Sequence, residues 1–249
     1  MQAGPAGPAL RIIAGLTVVA WALQALFFPL ENAALFAGFV PARFTLDVPA
    51  LDIVPRYLTP LTATLVHGDI LHLTMNLVTF WYCGKFVERF LGASGLVILY
   101  VVGAYASAGM HYLVNAGEPM PMIGASGAIS AVLGAYAMLF STSETKSFGP
   151  IPAEWVRALW LAAAWVGVQW MIGVAGAASG YSIAIAAHIG GFFAGLVLAK
   201  PLDAPADATL EIAIEHGIAS NSGVQACALR HFAVATSTNV PLAEFVTTA

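Results

Sequence analysis

The hydrophobic positions of this 249-residue chain gather into long runs. Crossing a hydrocarbon core about 30 Å thick takes about 20 apolar residues of helix. Six stretches qualify, at roughly 10–28, 68–87, 95–114, 122–140, 155–175 and 181–199. The pattern predicts an all-α, polytopic membrane bundle of six transmembrane helices. The first run is too long for the apolar core of a signal peptide, and no small-residue cleavage site leads from it into a polar domain. It is therefore expected to stay as a span. Residues 1–200 are expected to form one membrane domain. Residues 201–249, rich in Ala, Thr and Ser, are too polar to span and read as a tail. The connection at 29–67 mixes Pro29, Pro41, Pro49, Pro55 and Pro60 with Leu, Phe and Val, so it is expected in the membrane interface or against the bundle.

Composition points the same way. Only 9% of residues are charged and 59% are hydrophobic, whereas a soluble domain carries roughly a quarter charged. Mean hydropathy is +0.83. A soluble fold would lack the polar surface to cover itself, so the lipid bilayer is its expected solvent. A net charge of −4 gives no nucleic-acid footprint. Cys83 and Cys227 lie far apart and match no metal or disulfide spacing, and neither a metal nor another cofactor is expected.

Lysine and arginine set the expected orientation. With six spans, Arg11, Lys85, Arg89, Lys146, Arg157, Lys200 and Arg230 share one side, and only Arg43 and Arg56 fall on the other, both in the first loop. Both termini are therefore expected in the cytoplasm.

Polar groups inside a membrane need compensation and mark functional positions. His72 and Asn76 lie in the second span, Ser126 in the fourth and His188 in the sixth. Singly, each has a structural explanation: a helix serine bonds back to its own backbone, and a lone His or Asn glues helices together. Their depths argue otherwise. Counted from the inner ends at ~1.5 Å per residue, Ser126 stands ~22 Å, His188 ~18 Å, His72 ~20 Å and Asn76 ~14 Å up. All four fall within a couple of turns of one another, near or above the middle of a ~30 Å core, which favours one site.

Their facing agrees. His72 and Asn76 are i,i+4 neighbours. His188, Gly191 and Gly195 form one stripe, and Gly127, Ser130 and Gly134 form another with Ser126 at its edge. Small-residue stripes let helix backbones approach closely, which predicts that Ser126 meets His188. A serine hydroxyl becomes a nucleophile when an imidazole takes its proton. No acidic residue lies between Glu154 and Asp203, so a Ser–His dyad is expected rather than a triad. The Gly124-Ala125-Ser126-Gly127 turn places backbone N–H groups at a helix start, and the Ser126 N–H with His72 and Asn76 could hold an oxyanion. Aspartyl chemistry lacks paired membrane aspartates, zinc chemistry lacks an HExxH helix, and an ion pathway lacks buried carboxylates. Glu88, beside Lys85 and Arg89 at a span end, reads as solvated or as a packing group. Water must reach Ser126, so a polar cavity open to the non-cytoplasmic side is expected.

These motifs resemble the rhomboid intramembrane serine proteases of the six-span bacterial type, from about Arg56 to Lys200. The block at 56–92 carries Arg56, His67, His72-x-x-x-Asn76 and Gly84-x-x-x-Glu88; GASG at 124–127 resembles the nucleophile motif, and AHIGGFFAG at 187–195 the His-x-x-Gly-x-x-x-Gly helix. The resemblance implies a catalytic core at about 56–200, Ser126 as nucleophile, His188 as general base, and an oxyanion hole from His72, Asn76 and the Ser126 N–H. Gly124, Gly127, Gly191, Gly195, Arg56, His67 and Glu88 would support the site, with Arg56 and His67 holding the end of a half-embedded first loop. The implied substrates are single-span membrane proteins cut in or near their transmembrane segments, with the fifth span and an adjoining loop as the gate. Two positions depart from the pattern. Ser130 stands where family members often carry an aromatic that stacks on the catalytic His, which leaves the imidazole to another ring or less firmly held. Pro55 stands where a Trp commonly precedes the loop arginine. The alternatives are a catalytically silent rhomboid-like protein that escorts membrane helices, which retention of Ser126 and His188 opposes, and a small transporter, which the missing carboxylates and repeats oppose.

Overall fold

The structure is a computed structural model that describes residues 5–46, 54–141, 145–178 and 184–215. Residues 179–183 and those beyond Glu215, with Cys227 and Arg230, lie outside the described residues. The chain divides into two units, Ala6–Leu202 and a second holding Met1–Pro5 and Asp203–Ala249. The first holds every contact described below.

All regular elements among the described residues are helical, which makes the chain all-α: α1 (Pro8–Phe27), α2 (Leu30–Ala37), α3 (Ala42–Thr45), α4 (Thr59–Thr62) between two 3₁₀ turns, α5 (Ile70–Asn115), α6 (Ser126–Phe140), α7 (Ala153–Ala178) and α8 (Ile185–Glu215). Among them, α1 and α5 are long and apolar enough to cross a membrane, while α6 and the Ile185–Lys200 part of α8 are apolar but shorter. The second and third predicted spans run together in α5. They are divided at Gly92, whose φ of 76° and ψ of 174° interrupt the helix. Only glycine adopts that conformation readily, so one residue replaces the expected loop. The arms at 70–91 and 93–115 each rise ~33–35 Å, about one bilayer core.

Helix α1 seats on the first arm of α5 through the Gly84-x-x-x-Glu88 motif. Gly84 leaves room for Leu10, which is fully buried. One turn further, the Glu88 carboxylate accepts the backbone N–H of Ala9 at 2.8 Å and of Leu10 at 2.9 Å. Those N–H groups have no acceptor within their own helix, and a carboxylate also suits the positive end of the helix dipole. Glu88 is therefore a buried cap supplied by another helix, which corrects the solvated reading and specifies the packing one. Along α1, Ile12, Leu16, Val19, Leu23 and Leu26 form an exposed apolar stripe, the arrangement expected where lipid is the solvent.

Helix α6 is central and made of small residues. Gly103 on the second arm of α5 packs against Ala128 and Ala131 of α6, and Gly190 on α8 packs against Ala106 and Met110 of α5. The predicted fourth span begins at 122, yet the helix starts only at Ser126. Met122 instead exchanges both backbone hydrogen bonds with Phe39, and Gly124 donates its N–H to the Ala63 carbonyl. These bonds hold the first loop against the bundle, together with Thr62 Oγ1 on the Ala37 carbonyl and a cluster of Phe39, Ala63 and Ala108 packed with Phe44, Tyr112 and Met122.

Replacing Glu88 by Ala strands two N–H groups at the start of α1. Charged hydrogen bonds of this kind contribute about 1.5–3 kcal/mol each, so the variant should unfold at lower temperature or denaturant concentration in detergent. An unchanged unfolding midpoint would contradict the capping role.

Candidate active site

The site is built where α6 and α8 nearly touch. A β-carbon on Gly191 would land on the Gly127 carbonyl, one on Gly195 on the Ala131 carbonyl, and one on Gly134 on the Phe192 carbonyl. The two backbones thus approach through positions that carry no side chain. At the end of this seam, Ser126 Oγ lies 2.7 Å from His188 Nε2, within proton-transfer reach. Both residues are half-buried, so the pair remains reachable from outside.

Gly124 shapes the turn before Ser126. Its φ of +107° suits glycine, and a β-carbon there would meet the His72 ring at 2.6 Å and Asn76 Nδ2 at 3.7 Å. Asp69 caps α5 by accepting the His72 N–H at 2.8 Å, and the first turn then aims His72 and Asn76 at the GASG segment. Asn76 Nδ2 is buried without a hydrogen-bond partner. An orphaned donor of this kind costs about 1–3 kcal/mol and lies beside Gly124, two residues before Ser126. Ser126 is the first residue of α6, so its own N–H has no acceptor within the helix.

His67 ties the first loop to this turn. Its Nε2 accepts the Ala125 N–H at 3.4 Å, its ring lies 5.0 Å from that of His72, and its backbone exchanges two hydrogen bonds with the Gln24 side chain. Burial, followed by the neighbouring His72, lowers its pKa from 6.5 to about 4. The neutral ring can accept from Ala125; a protonated one would oppose donor to donor. Arg56 and Glu88 are not brought to the pair: Arg56 Nη1 donates to the Arg43 carbonyl at 2.8 Å within the first loop, and Glu88 caps α1.

No ring stacks on His188 among the described residues. Ser130 instead returns its hydroxyl to the Ser126 carbonyl at 2.8 Å. A residue missed in the sequence holds the imidazole: Gln169 of α7, 2% exposed, places Oε1 2.9 Å from His188 Nδ1. Trp165, one turn earlier, donates Nε1 to the His188 carbonyl at 3.3 Å and stacks on Phe192 at 4.9 Å. A search confined to carboxylates passes over an amide. The available signal was a glutamine inside an apolar run, where polar groups are expensive.

Apolar helices facing outward around a half-buried serine–imidazole contact define an integral membrane protein of the helical bundle class. The Rhomboid domain matches residues 55–203, more than half of the chain. The chain belongs to the rhomboid family. It is 31% identical over 153 residues to Rhomboid protein 1, mitochondrial, of Saccharomyces cerevisiae, which covers 59% of this chain and 42% of that protein. It is also 31% identical over 135 residues to Rhomboid protease GlpG of Pectobacterium atrosepticum, covering 54% and 45%, and over 134 residues to that of Serratia proteamaculans, covering 54% and 44%. The match thus spans less than half the length of these relatives.

Two consequences are measurable. Gly195→Val drives a branched side chain into the Ala131 backbone and should cost about 1–3 kcal/mol by overpacking, read as a lower unfolding midpoint. Wild-type stability would count against the close seam. For His67, the folded state resists a proton that the unfolded chain accepts. Stability present above pH 6.5 is therefore lost as pH falls toward 4, and His67→Gln should flatten the dependence of the unfolding midpoint on pH across that window.

Proposed function

We propose that this chain is an intramembrane serine endopeptidase that cuts membrane-protein substrates, single-span ones in particular, in or near their transmembrane segments. The observation that carries the reading is the 2.7 Å contact between Ser126 Oγ and His188 Nε2. As the substrate carbonyl approaches, Nε2 takes the hydroxyl proton and Oγ bonds to the carbonyl carbon. The developing oxyanion turns to Asn76 Nδ2, the Ser126 N–H and His72, the donors gathered around Gly124. The imidazolium then protonates the departing amine as the peptide bond breaks. Water, activated by the same imidazole, hydrolyses the acyl-enzyme and restores both groups.

The proposed setting is a six-span bundle in the inner, or plasma, membrane of a bacterium, with both termini cytoplasmic. The rods at α1, the two arms of α5, α6, α7 and α8 supply six crossings. Helix α6 is 15 residues long, or ~22 Å, so its first residue lies ~8 Å below the far boundary of a ~30 Å core when its last turn sits at the near one. That depth suits cleavage beneath the membrane surface. Helix ends agree with alternating crossings: Glu88 meets the start of α1, Gln24 near its end meets His67, and Lys200 forms a salt bridge with Glu154. Residues 1–200 form the proposed membrane domain, with 56–200 as its catalytic core and 201–249 as the tail.

The test uses the full chain in detergent or liposomes with a fluorophosphonate probe and a model single-span substrate. Wild type should label and cut, Ser126→Ala should do neither, and His188→Asn should lose at least a hundredfold in turnover while unfolding as wild type does. Cleavage that survives Ser126→Ala overturns the assignment. A wild type that neither labels nor cuts returns the chain to the silent, helix-escorting reading.

A further inference from the structure

Helix α7 meets α8 along one face. Trp165, Gln169 and Gly173 are spaced i, i+4 and i+8. They meet Phe192 and His188, His188, and Ile185 in descending order on the antiparallel partner. At the far end Glu154 pairs with Lys200. Of these contacts, only Gln169 reaches the working part of the site, the imidazole nitrogen opposite the one that faces Ser126.

A neutral imidazole carries a single N–H, and the partner of each nitrogen decides which one holds it. For Nε2 to receive the Ser126 proton, the hydrogen must sit on Nδ1, and Nδ1 needs an acceptor. Gln169 Oε1 lies 2.9 Å from it. Rotated by half a turn, the same amide would present its NH₂ to Nδ1, push the ring hydrogen onto Nε2 and leave the serine with no base. The orientation of this one amide therefore separates a reactive pair from an inert one. Gln169 is 2% exposed, so bulk water offers Nδ1 little alternative. With Ser130 turned back to its own helix, no stacking ring shares the task among the described residues.

We infer that Gln169 is a positioning residue for the Ser126–His188 pair, an amide third member that selects the imidazole tautomer from a helix carrying neither reacting group. The inference rests on the protease reading. It also accounts for the absence of an acid: a carboxylate at this depth carries a desolvation cost, whereas a neutral amide orients the ring without a buried charge. Proper seating of α7 on α8 becomes a condition of reactivity, because a shift of about an ångström at residue 169 breaks the bond.

The experiment combines nitrogen-15 imidazole spectra with kinetics on the full chain in detergent. In wild type, His188 should carry its proton on Nδ1. Gln169→Leu should lose that preference and lower kcat about tenfold, the rate equivalent of one neutral hydrogen bond, with KM within about twofold. Gln169→Glu, assayed at an alkaline pH where its buried carboxylate is ionised and can only accept, should recover most of the rate. Glu154→Gln loosens the same helix pair away from the site and should leave tautomer and kcat unchanged. A wild-type His188 protonated on Nε2 overturns the inference even if no variant folds. So does a Gln169→Leu enzyme with wild-type kcat, or one whose loss Glu cannot rescue, since that is the behaviour of helix glue alone. If wild type fails to react with a fluorophosphonate, the protease reading falls; the tautomer spectrum of the same sample separates that failure from failure of the Gln169 assignment.

Discussion

The approach of α6 to α8 is the constraint on which the site depends. Three glycines, Gly134, Gly191 and Gly195, stand where any β-carbon would strike the partner's backbone, and Gly127 supplies the carbonyl that Gly191 faces. Apolar side chains gain nothing by leaving lipid for protein, so helices in a bilayer associate through close packing and interhelical hydrogen bonds. A seam without side chains maximises the first. It also fixes the height and rotation of both helices, so that the two polar groups at its end meet at 2.7 Å. A methyl group in that seam would strike the partner backbone and push apart the two helices that carry the hydroxyl and the imidazole.

The second contribution, hydrogen bonding, is spent sparingly and at helix ends. Glu88 closes the start of α1, Asp69 the start of α5, and His67 receives an N–H from the turn before α6. Each bond satisfies a group that a helix cannot satisfy internally, and those of Glu88 and His67 also join segments distant in sequence. The same bonds that make the helix ends tolerable in an apolar medium set the register of the bundle. Asn76 Nδ2 is the contrast: a buried donor with no partner among the described residues, beside Gly124, where the proposed chemistry would place the substrate oxyanion.

Much of this was legible along the chain. Apolar runs located the helical rods, and helix rise alone brought Ser126, His188, His72 and Asn76 to one level. The Gly191 and Gly195 stripe showed which face of α8 would pack closely. Other features were hidden because they depend on contacts between distant residues. Glu88 reads as solvated or as a packing group until α1 is seen to begin against it. The fourth apolar run reads from 122 until Met122 is seen to exchange its hydrogen bonds with Phe39 and Gly124 to donate to Ala63. Gln169 belongs to no motif, and its partner lies 19 residues away on another helix.

The order of the chain thus determined the all-α architecture, the apolar solvent and the meeting of Ser126 with His188, because hydropathy runs and helical spacing are local properties that survive in one dimension. Only the tertiary structure decided what holds the imidazole, what caps α1 and where α6 begins. Those outcomes are choices among hydrogen-bond partners that several residues could have supplied, and a buried donor or acceptor takes whichever partner the packing of the helices delivers within about 3 Å.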